Sequence, residues 1–381
     1  MNIKNISKDF DIIEEINYLS TASIGLVPIS VIEKAKNFFV ELTKGGTITL
    51  DEEKEVMVYE GLREEGAKLL DCRSEDIGVF NSVTEVLNVI AWSLDLQEGK
   101  LVSTTIEFPS VTYPWIRLSR KEGLNIELVK SQNGLIPLDD LYEAINEHTK
   151  VVALSHVEFL TGQKFDLKKL AKITHDVGAI LVIDGIQAAG YEPLDVTKWD
   201  VDVYIAGSYK WLCAPFGTAI AYISKDLYTN LEPSFVGWRS TEDIWDFDAT
   251  KIPYAKTARK FEYSTSAYGA KYGFMQSIEY LHKIGIKNIH DYNKKLVNLL
   301  LQELTQIPEI EIISPSSRGS IVTFKFKQAK AVNIRDKLRE LQRPIELTIR
   351  QGMMRISPHF YNTEADIQQY VQNLKQILKE I

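Results

Sequence analysis

The chain has 381 residues, 45% of them hydrophobic and 25% charged, and a formal net charge of −8. That length is enough for two packed domains with a large core, while the acidic balance points away from nucleic acid, whose phosphates need clustered cations. No apolar run approaches the roughly 20 residues of a membrane span, and the opening MNIKNISKDFDIIEE is too polar for a secretory signal, so a cytoplasmic protein is expected.

The first clear element in chain order is a helix over 84–94, with Val86, Leu87, Ile90, Ala91 and Leu94 on one face. Short runs rich in Val and Ile then predict strands at 101–105, 126–129, 151–155, 179–184, 203–207 and 218–224, with a helix over 167–177 among them. The runs are apolar on both parities, as expected where helices cover both faces of a sheet. Strand–helix alternation predicts an α/β fold with a mainly parallel sheet. After about residue 270 the pattern changes. Helices near 272–284 and 288–304, short strands at 310–313, 320–326 and 345–350, and a terminal helix from Glu364 read as a smaller α+β domain. The stretch from Trp238 to Tyr263 has weak periodicity, which places the boundary near 250–270. The expected division is a large domain over 15–260 and a small one over 261–381 that also takes in residues 1–14.

The chemistry concentrates at strand ends. The run AILVID delivers Asp184 at its C-terminal end, Gln187 follows on the next loop, and VDVYIAGSYK delivers Lys210 just past another strand. Open α/β sheets bind ligands at the carboxyl ends of their strands, so this acid and this lysine are expected to meet in one crevice. A buried carboxylate there needs a cation, which the protonated ring nitrogen of pyridoxal 5′-phosphate (PLP) supplies while the lysine holds its aldehyde. The competing reading has Asp184 capping the next segment and Lys210 on the surface. Cys72 and Cys213 form no disulfide framework and, with scattered histidines, no metal quartet. Both cysteines read as buried fillers, and no metal is expected.

VIDGIQAAG followed by DVDVYIAGSYKWLCAPFG resembles the class V aminotransferase group of fold-type I PLP enzymes, which includes cysteine desulfurases, kynureninases and isopenicillin N epimerases. FNSVTEVLN, IEFPSVTYPW, SHVEFLTGQKFDL, FEYSTSAYG and MRISPHFYNTEADI fall in that family's order, so the resemblance covers nearly the whole chain. It implies a Schiff base on Lys210, Asp184 on the ring nitrogen and Gln187 on the ring hydroxyl. Phe108 falls at the stacking position, where desulfurases carry histidine; plain core packing is its alternative. Val83 and Thr84 open a helix, whose free N–H groups suit a phosphate, and Thr84 also suits an N-cap. Tyr209 is implied as a phosphate donor, with Ser208 a weaker candidate. Trp238 matches a kynureninase segment and fits core or interface packing equally. Thr265 matches a residue that reaches the phosphate of a neighbouring subunit, which implies a homodimer with a shared site. Arg355 matches the arginine that clamps the substrate α-carboxylate, a task suited to its planar fork, and Arg350 is a second candidate.

One departure narrows the activity. Desulfurases need a cysteine on a loop before the arginine block, whereas ELTIRQGMMRISP is short and has none. Phe159 also stands where desulfurases carry asparagine. The expectation is therefore chemistry at the Cα of an amino acid, as an aminotransferase or carbon–sulfur lyase, with an epimerase or a kynureninase-like hydrolase as the alternative. A family member kept only for binding or regulation is the remaining reading.

Overall fold

The computed structural model describes residues 6–94, 96 and 99–380. Residues 1–5, part of the segment expected to join the small domain, lie outside the described residues.

Seven strands form the main sheet. β2 (Ile77–Phe80), β3 (Lys100–Thr104), β4 (Asn125–Val129), β5 (Thr149–Ser155), β6 (Ile180–Asp184), β7 (Val203–Gly207) and β8 (Ala219–Ile223) lie in the order β2-β8-β7-β6-β5-β3-β4. Only β8 runs against its neighbours. All six expected strands are present. β2 was not anticipated, because its IGVF is too short to show a period. The expectation of apolar strands on both parities holds for β6, β7 and β8, whose residues are buried almost throughout. It fails for β4, an edge strand whose first four residues are exposed or half-buried in alternation. An edge strand has one flank without a neighbour, so charged residues such as Glu127 are tolerated there.

Two helices missed in the sequence, Ile29–Gly45 and Glu52–Leu70, pack against the helix Tyr268–Ile284. Asp51 starts the second by accepting the Lys54 N–H at 2.9 Å. A four-stranded antiparallel sheet follows, in the order β12-β13-β10-β9, from β9 (Ile310–Ile312), β10 (Val322–Phe326), β12 (Thr348–Arg350) and β13 (Met353–Ile356). The single strand expected over 345–350 is thus divided. Its first part, β11 (Ile345–Glu346), pairs in parallel with β1 (Asn17–Tyr18), and its second joins the small sheet as β12. Leu296, Leu300, Val322, Met354, Tyr370 and Leu374 form the core of this smaller layer. Phe274, Ile278 and Leu281 belong instead to the core beneath the large sheet. We propose a division into a large and a small domain, with the helix Tyr268–Ile284 packed on the large side. Among the described residues, no helix is long and apolar enough to cross a membrane.

The topology has a direct consequence for chemistry. β2, β3, β5, β6 and β7 all point the same way, so Phe80, Thr104, Ser155, Asp184 and Gly207 end at one edge of the sheet. Register keeps them close: Ser155 lies opposite Asp184, and Phe80 and Gly207 flank Ala219 of β8.

Candidate active site

A cavity of about 440 Å³ opens at that edge, and Val83, Thr84, Phe108, Asp184, Tyr209 and Lys210 all line it. The sequence separates these residues widely; the strand order brings them together. The turn that carries Lys210 is tightly held. Ser208 Oγ donates to the Pro215 carbonyl at 2.6 Å, and the Cys213 N–H to the Lys210 carbonyl at 3.1 Å. Gly25 braces the turn from outside, donating its N–H to the Tyr209 carbonyl at 2.9 Å. A Cβ on Gly25 would stand 1.8 Å from the Lys210 carbonyl oxygen, so no larger residue fits there.

Lys210 is only 7% exposed and Asp184 only 3%. Burial pulls the Lys210 amine down to about 8; the nearby Asp184 carboxylate opposes this, while Arg355 and Arg350 add to it. Burial also raises Asp184, against the Ile186 N–H that donates to its Oδ1 at 2.9 Å and against Lys210. Beneath Asp184 lies a feature the sequence reading missed. Ser155 donates its N–H and its hydroxyl to Glu107 at 2.9 and 2.6 Å, and Glu107 shares a hydrogen bond with Glu158. Burial drives both carboxyls upward; Glu107 keeps the charge that Ser155 stabilises, and Glu158 holds the proton. The available signal was a lone Glu among the apolar residues of VEFL.

The wall opposite the lysine suits an anion. Ser82 caps the helix Val83–Ser93 by accepting the Glu85 N–H at 3.1 Å, and the first-turn amides have no partner within the helix. Thr84 Oγ1 bonds Ser110 Oγ at 2.7 Å, and the Thr218 hydroxyl, also on the cavity wall, is buried without a partner among the described residues. Behind this wall the buried Lys271 donates to the Phe80 carbonyl and to Asn81 Oδ1, both at 3.2 Å. Phe108 presents an apolar ring, 44% exposed, with its centroid 5.6 Å from Lys210 Nζ. It meets the Phe159 ring edge-on at 5.5 Å. Tyr209 stacks on Phe216 at 4.7 Å.

The other anticipated residues lie outside the cavity wall. Gln187 is buried between Ala22 and Trp211: its Nε2 donates to the Ala22 carbonyl at 3.0 Å, and its Oε1 accepts the Trp211 indole N–H at 2.8 Å. Arg355 is 1% exposed. It donates to the Phe159 carbonyl at 2.6 Å and to Ser23 Oγ at 2.7 Å, and its Nε is buried without an acceptor among the described residues. Burial, then Arg350, pulls its pKa down to about 9, so it stays charged at neutral pH. Arg350 is exposed and bonds the Ile349 carbonyl at 3.0 Å. Trp238 packs on Trp245 at 5.7 Å, and Thr265 is exposed on the loop before the Tyr268–Ile284 helix.

PLP fits these walls on their own chemistry. Asp184 is a buried carboxylate that accepts one backbone N–H and is suited to a ring N–H. Phe108 offers a face for a flat ring, the capped helix start suits a phosphate, and burial lowers the Lys210 pKa so that its neutral amine is within reach. Among curated relatives, the chain is 28% identical over 319 residues to an uncharacterized aminotransferase, YcbU, of Bacillus subtilis, covering 82% of each chain. It is 26% identical over 398 residues to a probable cysteine desulfurase of Methanothermobacter thermautotrophicus, covering 99% of this chain and 98% of the other. Among solved structures, it matches the apo cysteine desulfurase of Thermococcus onnurineus with a TM-score of 0.87 at 24% identity, covering 99% and 98% of the two chains. It matches the cystine C–S lyase C-DES, in complex with its product cysteine persulfide, with a TM-score of 0.87 at 21% identity, covering 96% and 98%. The family model "Aminotransferase class-V" matches residues 17–370, and the chain therefore belongs to that family of PLP-dependent, fold-type I enzymes.

Proposed function

We propose that this protein acts at the Cα of an amino acid as an aminotransferase or a carbon–sulfur lyase, with Lys210 as the residue that binds PLP. The observation that carries this reading is the buried Lys210–Asp184 pair on one cavity wall, with the lysine pulled toward neutrality. When bound, PLP supplies a sink for the electron pair left at Cα. This chain's residues do the rest. Lys210 would hold the aldehyde, and its amine, once free, would remove the Cα proton and carry it away from Cα. Asp184 keeps the ring nitrogen protonated, and Phe108 holds the ring plane. Val83, Thr84 and Tyr209 serve the phosphate, the second N–H of Gln187 serves the ring hydroxyl, and Trp238, which packs on Trp245 outside the cavity wall, keeps its packing reading. Arg355 fixes the substrate α-carboxylate, with Arg350 as a second cation nearby.

Two features support the choice of reaction. β12 and β13 are joined by Gln351 and Gly352, both with positive φ (49° and 77°), so the hairpin turn leaves no loop to carry a reactive cysteine. Cys213 is buried and its thiol pKa is pushed up by that burial, which speaks against persulfide chemistry. Of the described residues lining the cavity, only Asp184, Tyr209 and Lys210 titrate. One lysine base suits transamination or elimination, whereas epimerisation needs an acid on the opposite face, where Phe108 lies.

We also propose a homodimer in which Thr265 reaches the neighbouring site. Phe216, exposed on the cavity wall, offers a neighbouring subunit an apolar ring beside the site. The deciding experiment is an amino-acid screen of PLP-loaded protein for keto-acid, ammonia and sulfide release. Keto acid without ammonia identifies the aminotransferase and sulfide the lyase; racemised substrate alone would overturn both.

A further inference from the structure

We infer that a second cleft, separate from the cofactor cavity, binds a small phosphate-bearing anion. The cleft holds about 270 Å³ and shares no lining residue with the cofactor cavity. Lys164 comes from the segment after β5, Glu192 from the segment after β6, His290 and Lys294 from the helix Ile286–Leu304, and Arg318 from the serine-rich turn before β10.

The charge in this cleft is unbalanced. Lys164 and His290 both approach Glu192 Oε2, at 3.3 and 3.4 Å. That leaves Lys294 and Arg318, and among the described residues neither has a carboxylate oxygen within 4.0 Å. His290 and Lys294 stand four positions apart on one helix, so both project from the same face. Lys294 is exposed, and solvent alone would satisfy it. Arg318 is different. It is half-buried, one arm donates to the Pro315 carbonyl, and its Nε is buried without an acceptor among the described residues. Burial pulls its pKa down, the mark of a guanidinium that has lost water without gaining a counter-charge.

The cleft is also built in advance. The turn bearing Arg318 is pinned on both sides: the Lys164 N–H donates to the Ser317 carbonyl at 3.1 Å and the Ser317 hydroxyl to the Lys164 carbonyl at 3.0 Å. The Gly319 N–H donates to the Gly162 carbonyl at 2.9 Å, and the Ser320 N–H to Tyr191 Oη at 3.2 Å. Ser316 and Ser320 add residues with hydroxyl groups to the wall beside the cations, while the Ser317 hydroxyl is already committed to Lys164. A guanidinium, a free ammonium and two serine hydroxyls suit the many acceptor oxygens and double charge of a phosphate better than a single carboxylate.

The test is calorimetric titration of the PLP-loaded protein with inorganic phosphate, beside Arg318→Ala, Lys294→Ala and Glu192→Gln. Saturable one-to-one binding is expected, weakened about tenfold by each cation loss and strengthened by Glu192→Gln, which removes the opposing carboxylate. The visible cofactor band and turnover without phosphate should be unchanged in the two cation variants. The Glu192→Gln gain guards against loss by misfolding alone. Absence of saturable binding overturns the proposal, as does binding equally tight in all variants. Acetate binding as tightly as phosphate would make this a carboxylate site and overturn the assignment.

Discussion

Lys210 is the residue whose environment most directly sets its chemistry. An ordinary lysine has a pKa of 10.5, and burial brings this one to about 8. Only the neutral amine attacks an aldehyde, so PLP capture by the apo-protein should speed up about tenfold per pH unit below 8 and level off above it. Stopped-flow absorbance at several pH values would measure this, and borohydride should then leave the cofactor attached to Lys210. A flat profile, or label on another lysine, would contradict the assignment. The Glu107–Glu158 pair makes a prediction about stability. Glu158 binds its proton more tightly folded than unfolded, where its ordinary value is 4.5. The folded state therefore holds more protons as pH rises above that value, and the pair's contribution to stability falls. In Glu158→Gln, the amide donates to Glu107 as the acid did but has no proton to lose. Its melting temperature should exceed that of the wild type near neutral pH and approach it near pH 4.5. A variant equally destabilised at both pH values would show that Glu158 is not held protonated.

At the scale of elements, the hairpin of β12 and β13 has the most to say about activity. A turn of Gln351 and Gly352 with both φ values positive closes the strands directly, and the resemblance to desulfurases stops at this point. Free cysteine should therefore leave no persulfide on the protein. Cys213 is fully buried and burial raises its thiol pKa; the same cause raises that of Cys72. Mass analysis after cysteine treatment and alkylation would check this, and a persulfide on either residue would restore the desulfurase reading. The shared direction of β2, β3, β5, β6 and β7 matters as much. Reversing any one would carry its loop to the far edge of the sheet and dismantle the cavity.

At the scale of the whole molecule, the two halves of the site should separate in their effects. Arg355 sits on β13 of the small sheet and touches Phe159 and Ser23 from elsewhere in the chain. Its loss should cost about 2–4 kcal/mol in kcat/KM, roughly 30- to 1000-fold, and leave PLP binding intact. Arg355→Lys should recover little, because a point charge cannot replace the fork. Thr265→Ala should do the reverse, weakening PLP retention, and a variant that dissociates the dimer should match it. Titrating PLP and substrate against both variants would decide. Loss of PLP in Arg355→Ala with normal substrate binding would invert the proposed layout.

How much of this was legible beforehand depends on the range of the interactions involved. Local periodicity revealed the strands 100–104, 149–155, 180–184, 203–207 and 219–223, and hence Asp184 and Lys210 at strand ends, because a strand buried on both faces must be apolar along its length. It misjudged β4, since an edge strand answers to solvent on one flank, and it ran β11 into β12, since the unbroken apolar–polar alternation of IELTIR does not reveal which partner each half will find. The Glu107–Glu158 pair, the burial of Arg355 against Phe159 and Ser23, and the unpaired Arg318 lay beyond it. Those features arise where segments far apart in the chain are packed together, and the burial and pairing that shift their protons exist only after that packing. The sequence by itself determined the order of elements and the acid and lysine at their ends. The tertiary structure alone decided which of the other charged groups face them, because strand order and register are set by long-range pairing that a local pattern does not encode.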